Sequence, residues 1–499
     1  MRAEVRQSSR QLLSALAVLA TLAACGEQGL PPDAGSGKRA DAGIDPVEHC
    51  GLVSPFGSDL ENYDALVECL RSEAEESVMR DAVATFVALA ESREGFPLVG
   101  AERVVFVYVR SAQYDREDDA RPEEDFNPGR RREPVRVAGD FNNWDGAAAE
   151  LQRESGDFFH RSFKMIVAAD DRWRYKLVAK DSTGEDVWFS DPLSRRFDFD
   201  ENGRISIVRG GDAQGHLETV REVVSQSLGI ARDVYLYLPR GYDFGTDRYP
   251  VLYMHDGNNL FDTGQPNSAP GTWDVDAVSE AETGAGRVRE HLIVGIPNNA
   301  NRMGEYTHVK ESIDGQALGG DGDKYARFVV QELKPLVDAR YRTRREREHT
   351  AILGSSLGGL ISFYIGLKHP EVFKYVGGMS SSFWWGSELG NPTMTDLYAG
   401  AADLSTRGQV FYLDSGGGPP LDGCSMEARR EGSDNYCDTL RMKAALEAKG
   451  IDTYPDDPNA PLLQPENIDI FHWHEPGAEH NEAAWNARMF RPLRLFFRP

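Results

Sequence analysis

At 499 residues the chain is longer than a single hydrophobic core organises, so two or three domains are expected. Hydrophobic residues at 40% and charged ones at 27% are the proportions of an ordinary soluble globular protein. Asp and Glu outnumber Lys and Arg by 80 to 55, a formal charge of −25, and that field repels phosphate backbones, which excludes nucleic acid as the expected partner.

Met1 to Arg10 carries three arginines and one glutamate, and Leu12 to Ala24 is an apolar run ending in small residues. The run is too short for a bilayer, which takes about 20 residues, but it suits the core of a signal peptide. It closes on Leu22-Ala23-Ala24-Cys25, which resembles the bacterial lipobox. The resemblance implies a signal peptide over 1–24 and an exported lipoprotein held to the membrane only through lipid on Cys25. Gly26 then points to the outer membrane. Residues 25–46, rich in Gly, Pro, Asp, Ala and Ser, read as a flexible tether. Four cysteines remain for an oxidising compartment, and near neighbours suggest the disulfides Cys50–Cys69 and Cys424–Cys437. The absence of any Cys-x-x-Cys speaks against zinc.

Helical spacing of Tyr63, Leu66, Val67 and Leu70, and of Val83, Phe86, Val87 and Ala90, predicts a helical preface over 47–99. The pattern then turns to β, with Val104 to Val109 as a strand and a charged, solvated insertion from Gln113 to Pro134. Short strands at Val135 to Ala138, Phe158 to Ile166, Trp173 to Ala179 and Ile205 to Val208 predict a β-sandwich over 100–211, closed by a hinge at Gly210-Gly211. Over 212–499, seven apolar strands alternate with helices at 322–341, 357–369, 434–449 and 482–498. That alternation predicts a mostly parallel sheet covered on both faces.

Gly354-Ser355-Ser356-Leu357-Gly358 is a G-x-S-x-G set between the strand ending at Leu353 and a helix opening at Leu357. Strand, tight turn and helix make the nucleophile elbow of an α/β-hydrolase, which puts Ser356 forward as nucleophile. A serine hydroxyl needs a base, and in this fold the base lies C-terminal to it. His369, His472, His474 and His480 qualify, and His480 is expected because it sits in the loop after the last strand. His472 and His474 lack an evident third ligand, so no metal site is expected, and no organic cofactor is implied. An oxyanion would be held by the N–H of Leu357 and by one from the loop Asp256-Gly257-Asn258-Asn259, with Asn258 preferred over Asn259.

Tyr253 to Phe261, Trp273-Asp274-Val275-Asp276, Arg302 with Glu305-Tyr306, Glu332 to Pro335, the elbow, and His480 followed by Trp485 together resemble the esterase D-type esterase group. That group holds enterochelin, feruloyl and acetylxylan esterases and mycolyltransferases, and the likeness covers about 217–499. It implies the residue after Asp-Gly, Asn258, as an oxyanion donor. A second set is Val137-Ala138-Gly139-Asp140-Phe141-Asn142-Asn143-Trp144, Tyr175-Lys176 and Trp188-Phe189-Ser190-Asp191-Pro192. It is similar to carbohydrate-binding module family 48, an immunoglobulin-like early-set sandwich, and implies glucan contact by Trp144, Lys176 and Trp188, or a spacer role.

A serine carboxylic-ester hydrolase acting through an acyl-enzyme on acylated sugars or polysaccharide outside the cytoplasm is therefore expected. A siderophore esterase, an acyltransferase and a non-catalytic glycan-binding surface lipoprotein are the alternatives. The third triad member should follow the strand Val410 to Leu413, where Asp414, Asp422 and Asp434 are candidates. Asp414 at the strand's end reads as structural, and Asp434 reads as the cap of the next helix. Asp422, where the resembling esterases carry their acid, is the expected one.

Overall fold

A computed structural model describes residues 57–499 except 73–74, 94, 111–131, 169–170, 182, 201–202, 209–213, 262–271, 426–431 and 452–468. Cys25, Cys50, the tether, most of the charged insertion and Gly210-Gly211 lie outside the described residues.

Among the described residues two helices come first, α1 (Asp59–Leu70) and α2 (Glu76–Glu91). At the start of α1 the Ser58 hydroxyl accepts the Glu61 N–H while the Glu61 carboxylate accepts the Ser58 N–H, which satisfies two of the donors a helix start leaves over. Nine strands follow: β1 (Leu98–Val99), β2 (Arg103–Val109), β3 (Arg132–Gly139), β4 (Gln152–Glu154), β5 (Phe158–Lys164), β6 (Arg174–Lys180), β7 (Asp186–Phe189), β8 (Arg196–Asp200) and β9 (Gly203–Ile207). β1, β2, β5 and β4 form one antiparallel sheet. The apolar run of β2 serves both its faces, as a strand's period of two requires. Val105, Val107 and Val109 join the core of α1 and α2, while Val104, Phe106 and Tyr108 join that of β3 and β6.

Ten further strands follow among the described residues: β10 (His216–Ser225), β11 (Ile230–Leu238), β12 (Val251–His255), β13 (Leu292–Ile296), the hairpin β14 (Lys310–Ile313) and β15 (Gln316–Gly319), β16 (Thr350–Ser355), β17 (Tyr375–Met379), β18 (Val410–Ser415) and β19 (Ile470–His474). Eight of them stand in the order β10-β11-β13-β12-β16-β17-β18-β19. The six from β13 to β19 are parallel, and β11 is antiparallel to both its neighbours. The separation expected at 211/212 is not a break in this sheet. β8 pairs with β10 through Leu217 with Phe197 and Glu218 with Arg196, and the ladder continues through β9 and β6 to β3.

The parallel strands are buried on both faces. Val251, Tyr253 and Ile352 point into one core with the helix α4 (Leu357–Lys368). Leu252, Met254 and Leu353 point into the other, with α3 (Val275–Gly284) and α7 (Phe490–Phe496). The remaining helices near the site are α5 (Tyr436–Glu447) and α6 (Glu482–Asn486). Among the described residues no helix is long and apolar enough to cross a membrane.

Candidate active site

Ser356 joins β16 to α4 with φ 53° and ψ −120°, a conformation that costs a non-glycine residue energy unless its surroundings hold it. They do. Its N–H donates to Met379 O at 3.0 Å and its carbonyl accepts the Ser382 N–H at 3.0 Å, both from the segment leaving β17. The flanking glycines are demanded by contact, since a Cβ on Gly354 would lie 2.5 Å from the Gly358 carbonyl carbon and one on Gly359 2.1 Å from Ser381 Oγ. Ser356 Oγ lies 3.4 Å from Ser382 Oγ. The Leu357 N–H opens α4, where helix N–H groups lack partners within the helix and the dipole favours negative charge.

His480 Nδ1 bonds Asp434 Oδ1 at 2.5 Å, with Asp434 buried and His480 partly exposed. Asp434, and not Asp422, is thus the carboxylate that the fold brings to His480. Asp422 lies exposed in a turn after Pro419-Pro420, beside a fully exposed Leu421. Beyond that turn the chain doubles back: Ser433 N–H donates to Gly418 O at 3.0 Å, Gly418 N–H to Ser433 Oγ at 3.0 Å, and Gly416 N–H to Asp434 Oδ2. A disulfide between Cys424 and Cys437 closes this excursion at the first turn of α5. The capping role read for Asp434 is also corrected, because Asn435 occupies the cap position and Asp434, at φ 53°, turns its carboxylate to the histidine. Asp414 is fully buried against Tyr412 and Arg488.

The loop after β12 abuts the start of α4: a Cβ on Gly358 would lie 3.3 Å from His255 Cβ and 3.4 Å from Asp256 Oδ2. Asp256, at φ 57°, anchors it by accepting from Arg302 at 2.6 and 2.8 Å and from Asn298 Nδ2 at 2.5 Å. Burial pushes the Asp256 carboxyl up, but the Arg302 charge and these hydrogen bonds outweigh it and hold the group below its usual value. His255 behind the loop is fully buried, which lowers its pKa to about 3 and keeps it neutral against the Tyr325 hydroxyl at 2.9 Å. Asn258 thus sits on a clamped turn whose Asp256 packs against the start of α4, and it is bonded to Asn298. Its neighbour Asn259 donates to Glu482 Oε1 at 2.9 Å, which ties the loop to α6, two residues past His480.

Ser380, Ser382, Arg488 and Glu482 were not singled out in the sequence. The serines follow a strand of the sheet in the run Ser380-Ser381-Ser382, a signal that a site-oriented reading of strand ends can use.

On β7, which pairs with β6 of the larger sheet, Trp188 stands 6.5 Å from Trp144, in the turn after β3, with rings tilted by 34°. Asp140 fixes Trp144 by accepting from its Nε1 at 2.9 Å. Lys176 is buried with Nζ 3.3 Å from Asp200 Oδ1, so its amine is engaged within the fold.

Residues 225–496 match the family described as "Esterase: Putative esterase". The chain is 29% identical over 170 residues to an uncharacterised protein, YbbA, of Bacillus subtilis, covering 34% of this chain and 63% of that one. It is 24% identical over 189 residues to an endo-1,4-beta-xylanase/feruloyl esterase of Xylanibacter ruminicola, covering 36% and 24%. To the iron(III) enterobactin esterase of Escherichia coli it is 35% identical over 96 residues, covering 19% and 24%. The chain therefore spans less than two thirds of each of these relatives.

Proposed function

Since the chain belongs to the esterase family, we propose that it is a serine carboxylic-ester hydrolase that works through an acyl-enzyme, with Ser356 as nucleophile, His480 as base and Asp434 as the acid behind it. The observation that carries this is the 2.5 Å bond from His480 Nδ1 to a buried carboxylate beside a strained serine elbow. The Ser356 hydroxyl oxygen attacks the ester carbonyl carbon while His480 Nε2 takes its proton, and Asp434 fixes the tautomer and balances the imidazolium. The oxyanion takes hydrogen bonds from the Leu357 and Asn258 N–H groups. Collapse expels the alcohol, which leaves with the proton from His480, and water then repeats the sequence on the acyl-enzyme. Another hydroxyl in place of that water would give acyl transfer.

The substrate we assign is an acyl group on a sugar or polysaccharide outside the cytoplasm, reached by a protein exported and anchored through Cys25. The relative named for feruloyl esterase supports this reading, and the one named for enterobactin esterase supports a siderophore ester as the second. Ser356→Ala should abolish turnover of p-nitrophenyl acetate by the full chain, and residual activity above about one part in a hundred would sink the mechanism. A panel of p-nitrophenyl butyrate, feruloyl-arabinose, acetylated xylan and enterobactin then ranks the substrates.

The paired rings of Trp144 and Trp188 favour an added glycan-binding role for the region of β3, β6 and β7, since apolar ring faces stack on sugars. Replacing both by Ala should weaken retention on a glucan gel and leave small-ester turnover intact. Equal retention of variant and parent would make this region a spacer.

A further inference from the structure

Behind His480 and Asp434 lies a second acid, and the two share one buried cation. Asp414 and Arg488 are almost wholly buried, with Arg488 Nε 3.0 Å from Asp414 Oδ2. The other end of the same guanidinium reaches Asp434: Nη2 is 3.7 Å from Asp434 Oδ2 and donates to Ser380 Oγ at 2.8 Å. Ser380, buried at φ 46°, donates its hydroxyl proton to Asp434 Oδ2 at 2.6 Å and accepts from Trp485 Nε1 at 3.2 Å. Its N–H points at Asp414 O and Oδ1, at 2.9 and 3.2 Å. Tyr412 donates to Asp414 Oδ2 at 2.9 Å. Glu482 faces His480, Arg491 faces Tyr412, Asp414 and Glu475, and from β19 His474, whose pKa burial lowers, faces Arg488.

The two carboxylates and one guanidinium sum to one net negative charge, held where water does not screen it. An imidazolium on His480 would bring the cluster to zero. On the reading of His480 as base, we infer that Arg488 is a positioning residue for the acid–base pair: it cancels the charge of Asp414 and, through Ser380, orients Asp434, so that the residual charge facing His480 is that of one carboxylate. Without Arg488 two anions would face the imidazole, and its protonated form would be overstabilised. A base that holds its proton too tightly is out of service at neutral pH.

The test is the pH profile of kcat/KM for p-nitrophenyl acetate with the full chain, whose acidic limb reports the base in the free enzyme. Arg488→Met should raise that limb by about one pH unit. Asp414→Asn removes one anion and should lower it. The double variant Asp414→Asn with Arg488→Met carries the wild-type residual charge and should return the limb to its starting place. Because a buried cation removed alone can cost the fold, the double variant and Asp414→Asn keep the test open where Arg488→Met does not fold. Limbs that coincide in wild type and Asp414→Asn, or a double variant displaced from wild type, would overturn the inference. A wild type with no limb between pH 5 and 8, or a Ser356→Ala variant that still turns over, would instead remove the catalytic reading beneath it.

Discussion

An amide at position 434 can still meet His480 Nδ1, but it can offer N–H where the imidazole needs an acceptor, and it carries no charge to balance an imidazolium. Asp434→Asn should therefore cut kcat by about 10⁴ with KM little changed, the size of effect seen for the corresponding change in a serine protease. Asp422→Asn, at an exposed turn, should leave kcat within about twofold. Steady-state kinetics of both variants decide the point, and the reverse pattern would return the role to Asp422. A sequence could not reveal this choice. Asp434 is 46 residues from His480, and what aims it there is the return of the chain onto Gly416 to Gly418, a non-local pairing with no periodic signature. Ser380 and Arg488, 108 residues apart, were hidden for the same reason. The strand–turn–helix at Ser356 and the position of His480 after the last strand were legible because a five-residue motif and chain order announce them.

At the scale of elements, the elbow and the clamped loop impose opposite demands. The elbow needs the absence of side chains: Gly354→Ala would drive a Cβ to 2.5 Å from the α4 backbone, and should cost about 3 kcal/mol, seen as a lower urea midpoint. An unchanged midpoint would mean that β16 and α4 part more easily than their packing implies. The loop needs a particular side chain, because Arg302 holds Asp256 through two parallel bonds that a lysine cannot reproduce. Arg302→Lys should lower kcat by about 10²-fold, approaching the loss of an oxyanion donor, with the fold retained by circular dichroism. The parallel strands of the larger sheet were readable as apolar runs because both their faces are buried. β10 was not, since Glu218 interrupts it. That carboxylate is buried against Arg195 and Arg196, more than twenty residues away, and accepts from the Tyr341 hydroxyl at 3.0 Å, and such distant partners make a strand there tolerable.

At the scale of the molecule, Glu282 closes the C-terminal helix onto α3, bonding Arg494 at 2.6 and 2.9 Å and Arg287 at 2.8 and 2.9 Å. Burial pushes its carboxyl up, but the two guanidiniums prevail and take it from 4.5 to about 2. A folded-state value below the unfolded one gives stability that is complete above about pH 4.5 and is lost as the pH falls towards 2. Glu282→Gln should therefore melt earlier than wild type at pH 7 and lose less on acidification, so that the two melting curves converge. Parallel acid losses would show that Glu282 does not hold this closure.

The ladder from β8 into β10 has a further consequence, because the family match begins at residue 225, the last of β10. A chain trimmed to that boundary would lose its flank, leaving β11 with a bare row of N–H and C=O groups over nine residues. Such a fragment should self-associate on a sizing column where the full chain runs as one defined species. What looks by homology like an appendage to the matched half then works as its edge guard, and a lineage that discarded it would be penalised first in solubility.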